Sequence, residues 1–328
     1  MNDKILTIYL PPIIQSLSDY ADMFTVMPSS SYYMEWLCEH YTNLVYLYTK
    51  ENGHEFNFFS PIYTNCEIMD YDVHVNNIIL TSSDINMNNV VDYIKELIEQ
   101  GFYVIIETNQ YFVPETSFYN IYNYVHRQLY YGFSDNNHCF YTLGYHADRK
   151  YNPSIIPYES IPRAVIEYEK QLAAPIHTIR TNHEHYKFDK HKSAKEYWCY
   201  LNSKYDGELT RNDYFFGIEA MEKFHCIIDA TIKGEMLNEI PISLFYEQKK
   251  LQKVKIEQYI KWVIPNINEE MLKQASEISY KAYHILLLYM KYHANRDISS
   301  LEKIHGYIDD IIDKEKILYT KLFSILNE

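Results

Sequence analysis

At 328 residues the chain exceeds one ordinary small core, so two domains are expected. Its 30 basic and 44 acidic residues give a net charge of −14, a field that repels nucleic acid and anionic membrane, and no basic cluster offsets it locally. The longest apolar stretch, "AYHILLLYMKY", is interrupted by His284 and Lys291, well short of the roughly 20 residues that a membrane span needs.

The N-terminus, "MNDKILTIYLPPIIQ", has one lysine, a short apolar run and no small-residue cleavage site. That predicts no signal peptide and a cytoplasmic location. Cys38, Cys66, Cys139, Cys199 and Cys226 are odd in number, scattered, and form no CxxC pair. They are expected to be reduced and mostly buried, without a disulfide framework or a structural zinc. With 8 glycines in the chain and no phosphate-cradling loop, a nucleotide-binding fold is disfavoured and no cofactor is expected. The 35 tyrosines fit an AT-rich genome, and they also supply large rigid surfaces with a polar tip.

In chain order, "KILTIYLPPII" reads as a short strand ended by Pro11 and Pro12. "SSSYYMEWLCEHYTNLVYLYTK" reads as a first long helix, with Ser29–Ser31 supplying its N-cap. "HEFNFF" and "HVNNIIL" are strand candidates. In "NNVVDYIKELIEQG", Val90, Val91, Ile94, Leu97 and Ile98 form one apolar stripe, and Gly101 stands where a C-terminal cap is wanted. Three strands follow, "FYVIIETN", "VHRQLYYGF" and "CFYTLGY", the last two joined by the turn residues "SDNN". "KYNPSIIPYESIPRAVIEY" then carries three prolines and a short helix, placing the end of an α/β domain near residue 165.

Residues 166–328 read as a helical domain, with "SAKEYWCYLNSKY", "NDYFFGIEAMEKFHCIIDATI", "SLFYEQKKLQKVKIEQYIKWVI" and "NEEMLKQASEISYKAYHILLLYMKYH" all helical in period. "EQKKLQKVK" within them reads as a solvated face. A last helix aligns Leu301, Ile304, Ile308, Ile311, Leu318, Leu322 and Ile325, with Ser299 and Glu302 as its capping box.

A helix followed by a hairpin that His126 opens is the order of a papain-like core. There a cysteine at a helix start meets a histidine at a strand start, and a polar side chain on the next strand orients the imidazole. From roughly residue 5 to 320, the order of "GFYVIIETN", "VHRQLYYGF", "FYTLGY…KYNPSIIPYES", "YFFGIEAMEKF" and "LFYEQKKLQKVKIEQYI" resembles the butirosin biosynthesis protein H N-terminal-like family. Its members occur beside nonribosomal peptide and related natural-product enzymes.

The resemblance implies an α+β papain-like domain with an antiparallel sheet over 1–165 and an all-helical domain over 166–328. It implies acyl transfer from an acyl or peptidyl carrier-protein thioester to a small-molecule amine through a cysteine. His126 matches the family's histidine, and the nearest available cysteine is Cys38. The chain departs from the family at two places. "QSLSDYADMFTVMP", where the nucleophile would sit, has no cysteine, leaving Cys38 or a helix-start serine, Ser30 or Ser31. The strand after His126 ends in Leu143-Gly144-Tyr145 instead of an Asp or Asn, with His146 and Asp148 beyond it. The alternative function is therefore a catalytically inactive scaffold or binding protein of a biosynthetic assembly line.

Two other clusters present metal-ligating residue types. His183 and His185 would share one face of a strand in "NHEHYKFDKH", beside Asp189 and His191, and Asp70, Asp72 and His74 would do so in "MDYDVHV". Solvated strand faces explain both more simply.

Overall fold

A computed structural model describes residues 3–51, 53–59, 66–74, 87–114, 116–146, 150–166, 176–205, 213–235 and 238–328. In chain order the elements are β1 (Asp3–Ile5), α1 (Ser18–Val26), α2 (Tyr33–Cys38), β2 (Leu44–Thr49), β3 (Gly53–Phe58), β4 (Met69–His74) and α3 (Met87–Glu99). Then come β5 (Tyr103–Asn109), β6 (Val125–Ser134), β7 (Cys139–Tyr145), β8 (Tyr151–Pro157), α4 (Ile161–Ile166) and β9 (Ile176–Thr181). The chain ends with α5 (Lys190–Leu201), β10 (Tyr214–Phe216), α6 (Gly217–Ile232), α7 (Ile240–Lys261), α8 (Glu269–Asn295) and α9 (Ile298–Asn327). The fold is α+β with antiparallel sheets and a C-terminal helical region. No described helix is long and apolar enough to cross a membrane.

The chain divides into two compact units, each built from two segments. The first is Met1–Tyr33 with Ile62–His185; the second is Met34–Pro61 with Tyr186–Glu328.

In the first unit the strands run β4-β9-β5-β6-β7-β8 in one antiparallel sheet, with β1 on β6. The expected stripe of α3 covers it: Val90, Val91, Ile94, Leu97 and Ile98 are buried with Val104, Ile106, Tyr130, Phe133 and Phe140. Full burial of such side chains stabilises by about 1.5–3 kcal/mol each. Gly101 ends α3 at φ +89, its N–H on the Ile98 carbonyl and that of Phe102 on the Leu97 carbonyl, the paired bonds of a Schellman cap. The strand candidate at 74–80 lies outside the described residues except for His74.

The long helix expected over residues 29–50 is not formed. The chain makes a 3-10 turn at Met27–Ser29, the short α2, and then β2. Tyr41, with φ +61, stops helical propagation, and the β-favouring run Leu44–Thr49 alternates in burial and pairs with β3. Of the serines proposed as its cap, Ser30 accepts from the Tyr32 amide at 3.2 Å, while Ser29 donates back to the Val26 carbonyl at 2.8 Å.

In the second unit, β10-β2-β3 form a small sheet with helices α5–α9. Residues 213–216 are not helical. Tyr214–Phe216 pair with β2, and α6 starts only at Gly217, whose φ is +51 and where a Cβ would lie 2.0 Å from the Tyr200 carbonyl oxygen. No other residue type fits there. In α9 the expected residues Leu301 to Leu322 are buried, Ile325 is half-buried, and Leu326 takes the inward place. Its N-cap is Asp297, which accepts from the Ser299 amide at 3.1 Å, and not the expected Ser299.

The largest departure from expectation is α7. Its basic stretch is no solvated face: Glu247, Gln248, Lys249, Gln252 and Lys255 are buried. Lys249, Lys255, Gln248 and Gln252 find partners on other segments, which local sequence does not reveal. Lys249 Nζ lies 2.8 Å from Glu315 Oε1, and Lys255 Nζ donates to Thr42 Oγ1 at 2.8 Å. Gln248 and Gln252 donate to the carbonyls of Thr42 and Tyr41. Buried polar groups are tolerated because they are hydrogen-bonded.

Candidate functional site

His126 stands at the opening of β6, opposite Thr108 of β5. Its Nδ1 lies 3.2 Å from the Arg127 carbonyl oxygen, which assigns the proton to Nδ1 and leaves Nε2 as the basic nitrogen. The ring meets Tyr145 edge-on, centroids 5.6 Å apart at 89°, and Tyr124 lies 5.9 Å away at 20°. Burial lowers the imidazole pKa below its usual value, partly opposed by the hydrogen bond to Arg127 and the charge of Glu107. His126 is therefore neutral at neutral pH.

The next residue organises more of the surroundings. Arg127 forms an ion pair with Asp19 of α1, and its Nε lies 3.5 Å from Oδ2 of Asp22. Tyr151 of β8 donates to Asp22 Oδ1 at 2.5 Å, and Tyr145 donates to the Gln15 carbonyl just before α1. Asp22 is buried, and burial pushes its carboxyl up to about 8, with the Tyr151 hydrogen bond opposing. Gln128 follows; it lies over Gly144 so closely that a Cβ there would come within 2.4 Å of its Oε1. A side chain at this position of β7 would have to displace the end of the buried Gln128 side chain.

This Asp19–Arg127–Asp22–Tyr151 cluster was missed in sequence. Its signal was the i, i+3 spacing of Asp19 and Asp22, which places both carboxylates on one face of α1. Chemically the cluster anchors that helix to β6 and β8. The cationic charge of Arg127 is matched by the Asp19 carboxylate.

Cys38, the other candidate catalytic residue, belongs to the second unit, and His126 to the first. Cys38 closes α2 and is fully buried. Burial pushes its thiol up to about 12; Lys255 opposes this, and Glu35 and Glu39 add to it. Its carbonyl accepts from Ser193 Oγ at 2.7 Å and from the Tyr259 hydroxyl at 2.9 Å. A protonated, enclosed thiol is a poor nucleophile. All five cysteines are free; four are buried and Cys226 is half-buried.

His146 Nε2 lies 2.9 Å from the Asn152 carbonyl oxygen, and Asp148 lies outside the described residues. His183 and His185 do not share a strand face, because Asn182–Asp189 is irregular; His185 packs on Tyr32 at 5.2 Å. Asp70 and Asp72 do lie on β4, where Asp70 pairs with Arg180 at 2.8 Å and Asp72 is exposed. Among the described residues, no group of three or more His, Cys, Asp or Glu is placed to hold a metal ion. Comparisons with protein-family models and with curated proteins find no match to this sequence.

Proposed function

We propose that this chain is a catalytically silent protein of papain-like design, serving as a binding or scaffolding partner of a natural-product assembly line. Its partner in this reading is an acyl or peptidyl carrier protein. The observation that carries it is the state of Cys38: enclosed, with its thiol held up to about 12. At neutral pH such a group offers almost no thiolate to a thioester. The segment where the family's nucleophile would stand is α1, which has no cysteine and whose Asp19 and Asp22 hold Arg127 instead.

One observation favours a second reading, acyl transfer from a carrier-protein thioester to an amine. His126 is a neutral imidazole with its Nε2 available, the form a general base requires. In that reading Cys38, Ser30 or Ser31 supplies the nucleophile.

Mass spectrometry of the intact protein after exposure to an activated acyl thioester, with and without His126→Ala, separates the two. The binding reading expects no acyl adduct, while a carrier protein is retained by the immobilised chain. An adduct that disappears in His126→Ala would establish the transferase and overturn the scaffold.

A further inference from the structure

The two faces of α8 differ in a way that its own unit does not explain. Met271, Ala275, Ile278, Ala282, Ile285 and Tyr289 are buried. On the opposite side, Tyr280, Tyr283, Leu287 and Met290 remain 63%, 41%, 43% and 56% exposed. They recur at spacings of three, four and three, the alternation of a coiled-coil seam. Isolated exposed apolar residues need no explanation, but a seam along one helix marks an interaction surface.

We propose that this seam is the interface of a homodimer in which α8 packs antiparallel against the same helix of a second copy, about a two-fold axis level with Ile285. The charges beside the seam select that occupant. With the axis there, Tyr280 meets the partner's Met290 and Tyr283 meets the partner's Leu287. The next layer outward sets Ser276 against the partner's Ala294, two small residues. Beside it, Glu277 falls near the partner's Lys291.

Every one of these juxtapositions is apolar with apolar, small with small, or acid with base, and the symmetry repeats each of them twice. A parallel pair would set Lys273, which lies in line with the seam, against the partner's Lys273, and would place no acid opposite Lys291. Within the chain, Glu277 and Lys291 form ion pairs of 3.4 Å and 3.3 Å, with Lys314 and Asp297. Such exposed pairs contribute little, so sharing them across an interface costs little. The helix has 27 residues, a rod of about 40 Å at roughly 1.5 Å per residue, long enough for these layers.

Sedimentation velocity on the full chain over a dilution series tests this. The expected result is a species of twice the chain mass that dissociates on dilution, and its loss at every concentration in Leu287→Glu with an unchanged far-ultraviolet circular dichroism spectrum. Glu277→Lys alone and Lys291→Glu alone should each shift the midpoint of dissociation to higher concentration. The double swap, Glu277→Lys with Lys291→Glu, should restore it. A wild-type chain that stays monomeric, a dimer that survives Leu287→Glu, or a double swap no better than the singles would overturn the proposal.

Discussion

His225 Nδ1 and His305 Nδ1 face each other at 2.6 Å across α6 and α9. The ring planes lie within 8° and the centroids are 4.9 Å apart, so the rings meet at their nitrogens and not face to face. At the far side of each ring, His225 Nε2 lies 3.1 Å from Asp309 and His305 Nε2 lies 3.3 Å from Asp229. A hydrogen bond between them needs one Nδ1 to donate and the other to accept. The relationship predicts a coupling of about 1 kcal/mol in a double-mutant cycle of His225→Ala and His305→Ala followed by urea denaturation. Additive effects would mean that the contact is not held in solution.

Glu315 is the common acceptor of a fully buried set. It receives Lys249, the Tyr200 hydroxyl at 2.6 Å and the Tyr319 hydroxyl at 2.7 Å. Removing it strands a buried ammonium and two hydroxyls. Glu315→Leu should therefore destabilise the second unit by about 3–5 kcal/mol, the usual cost of breaking a buried pair on one side. Because the opposed charges are mutually dependent, the double replacement Glu315→Leu with Lys249→Met should recover much of the loss. Equal stability of the single and double variants, compared by chemical denaturation, would contradict this account.

Lys255 gives a pH signature. Burial lowers its ammonium to about 8, partly opposed by Glu196, Cys38 and Glu39, whereas an unfolded lysine titrates near ~10.4. Between these values the unfolded chain binds more protons than the folded one, so stability rises with pH from about 8 to ~10. Lys255→Met should flatten the unfolding free energy across that window. A profile identical to the wild type would place the titration elsewhere.

Asp22 acts with the opposite sign. Its folded pKa of about 8 lies above the ~3.9 of an unfolded aspartate, so the native chain keeps a proton that the unfolded chain has already lost. Stability contributed by this carboxyl falls as pH rises through the interval, by at most about 1.4 kcal/mol per pH unit. Asp22→Asn cannot titrate. Its stability relative to wild type should improve steadily between pH 5 and pH 8, and a constant difference would exclude a protonated Asp22.

The sequence was readable where local patterning and tertiary environment agreed. The stripe of α3, its cap at Gly101, the hairpin opened by His126 and the inner face of α9 all formed where period and turn chemistry placed them. It misled where partners distant along the chain decided the outcome. Residues 44–49 could follow a helical or a strand pattern, and pairing with β3 and β10 selected the strand. The lysines of α7 carry no local mark of burial, because Glu315 and Thr42, which accept from them, come from other segments. Of the candidate site, His126 was legible as the opening of a strand, while Arg127 and its carboxylates depended on where α1 lies against the sheet.

The interleaving of the two units has a consequence for synthesis. Thr42, whose carbonyl accepts from Gln248 at 2.9 Å, leaves the ribosome 206 positions ahead of that partner. The hairpin of β2 and β3 must therefore wait, with Phe56 not yet covered by Phe224 and Phe245, while the whole intervening sheet is made. A nascent chain in that interval presents an aromatic strand edge to its surroundings, the kind of segment that chaperones hold. For the same reason, no single cut in the backbone yields two self-sufficient halves. A fragment ending at His185 carries the hairpin without its partners, and one starting at Tyr186 lacks it altogether.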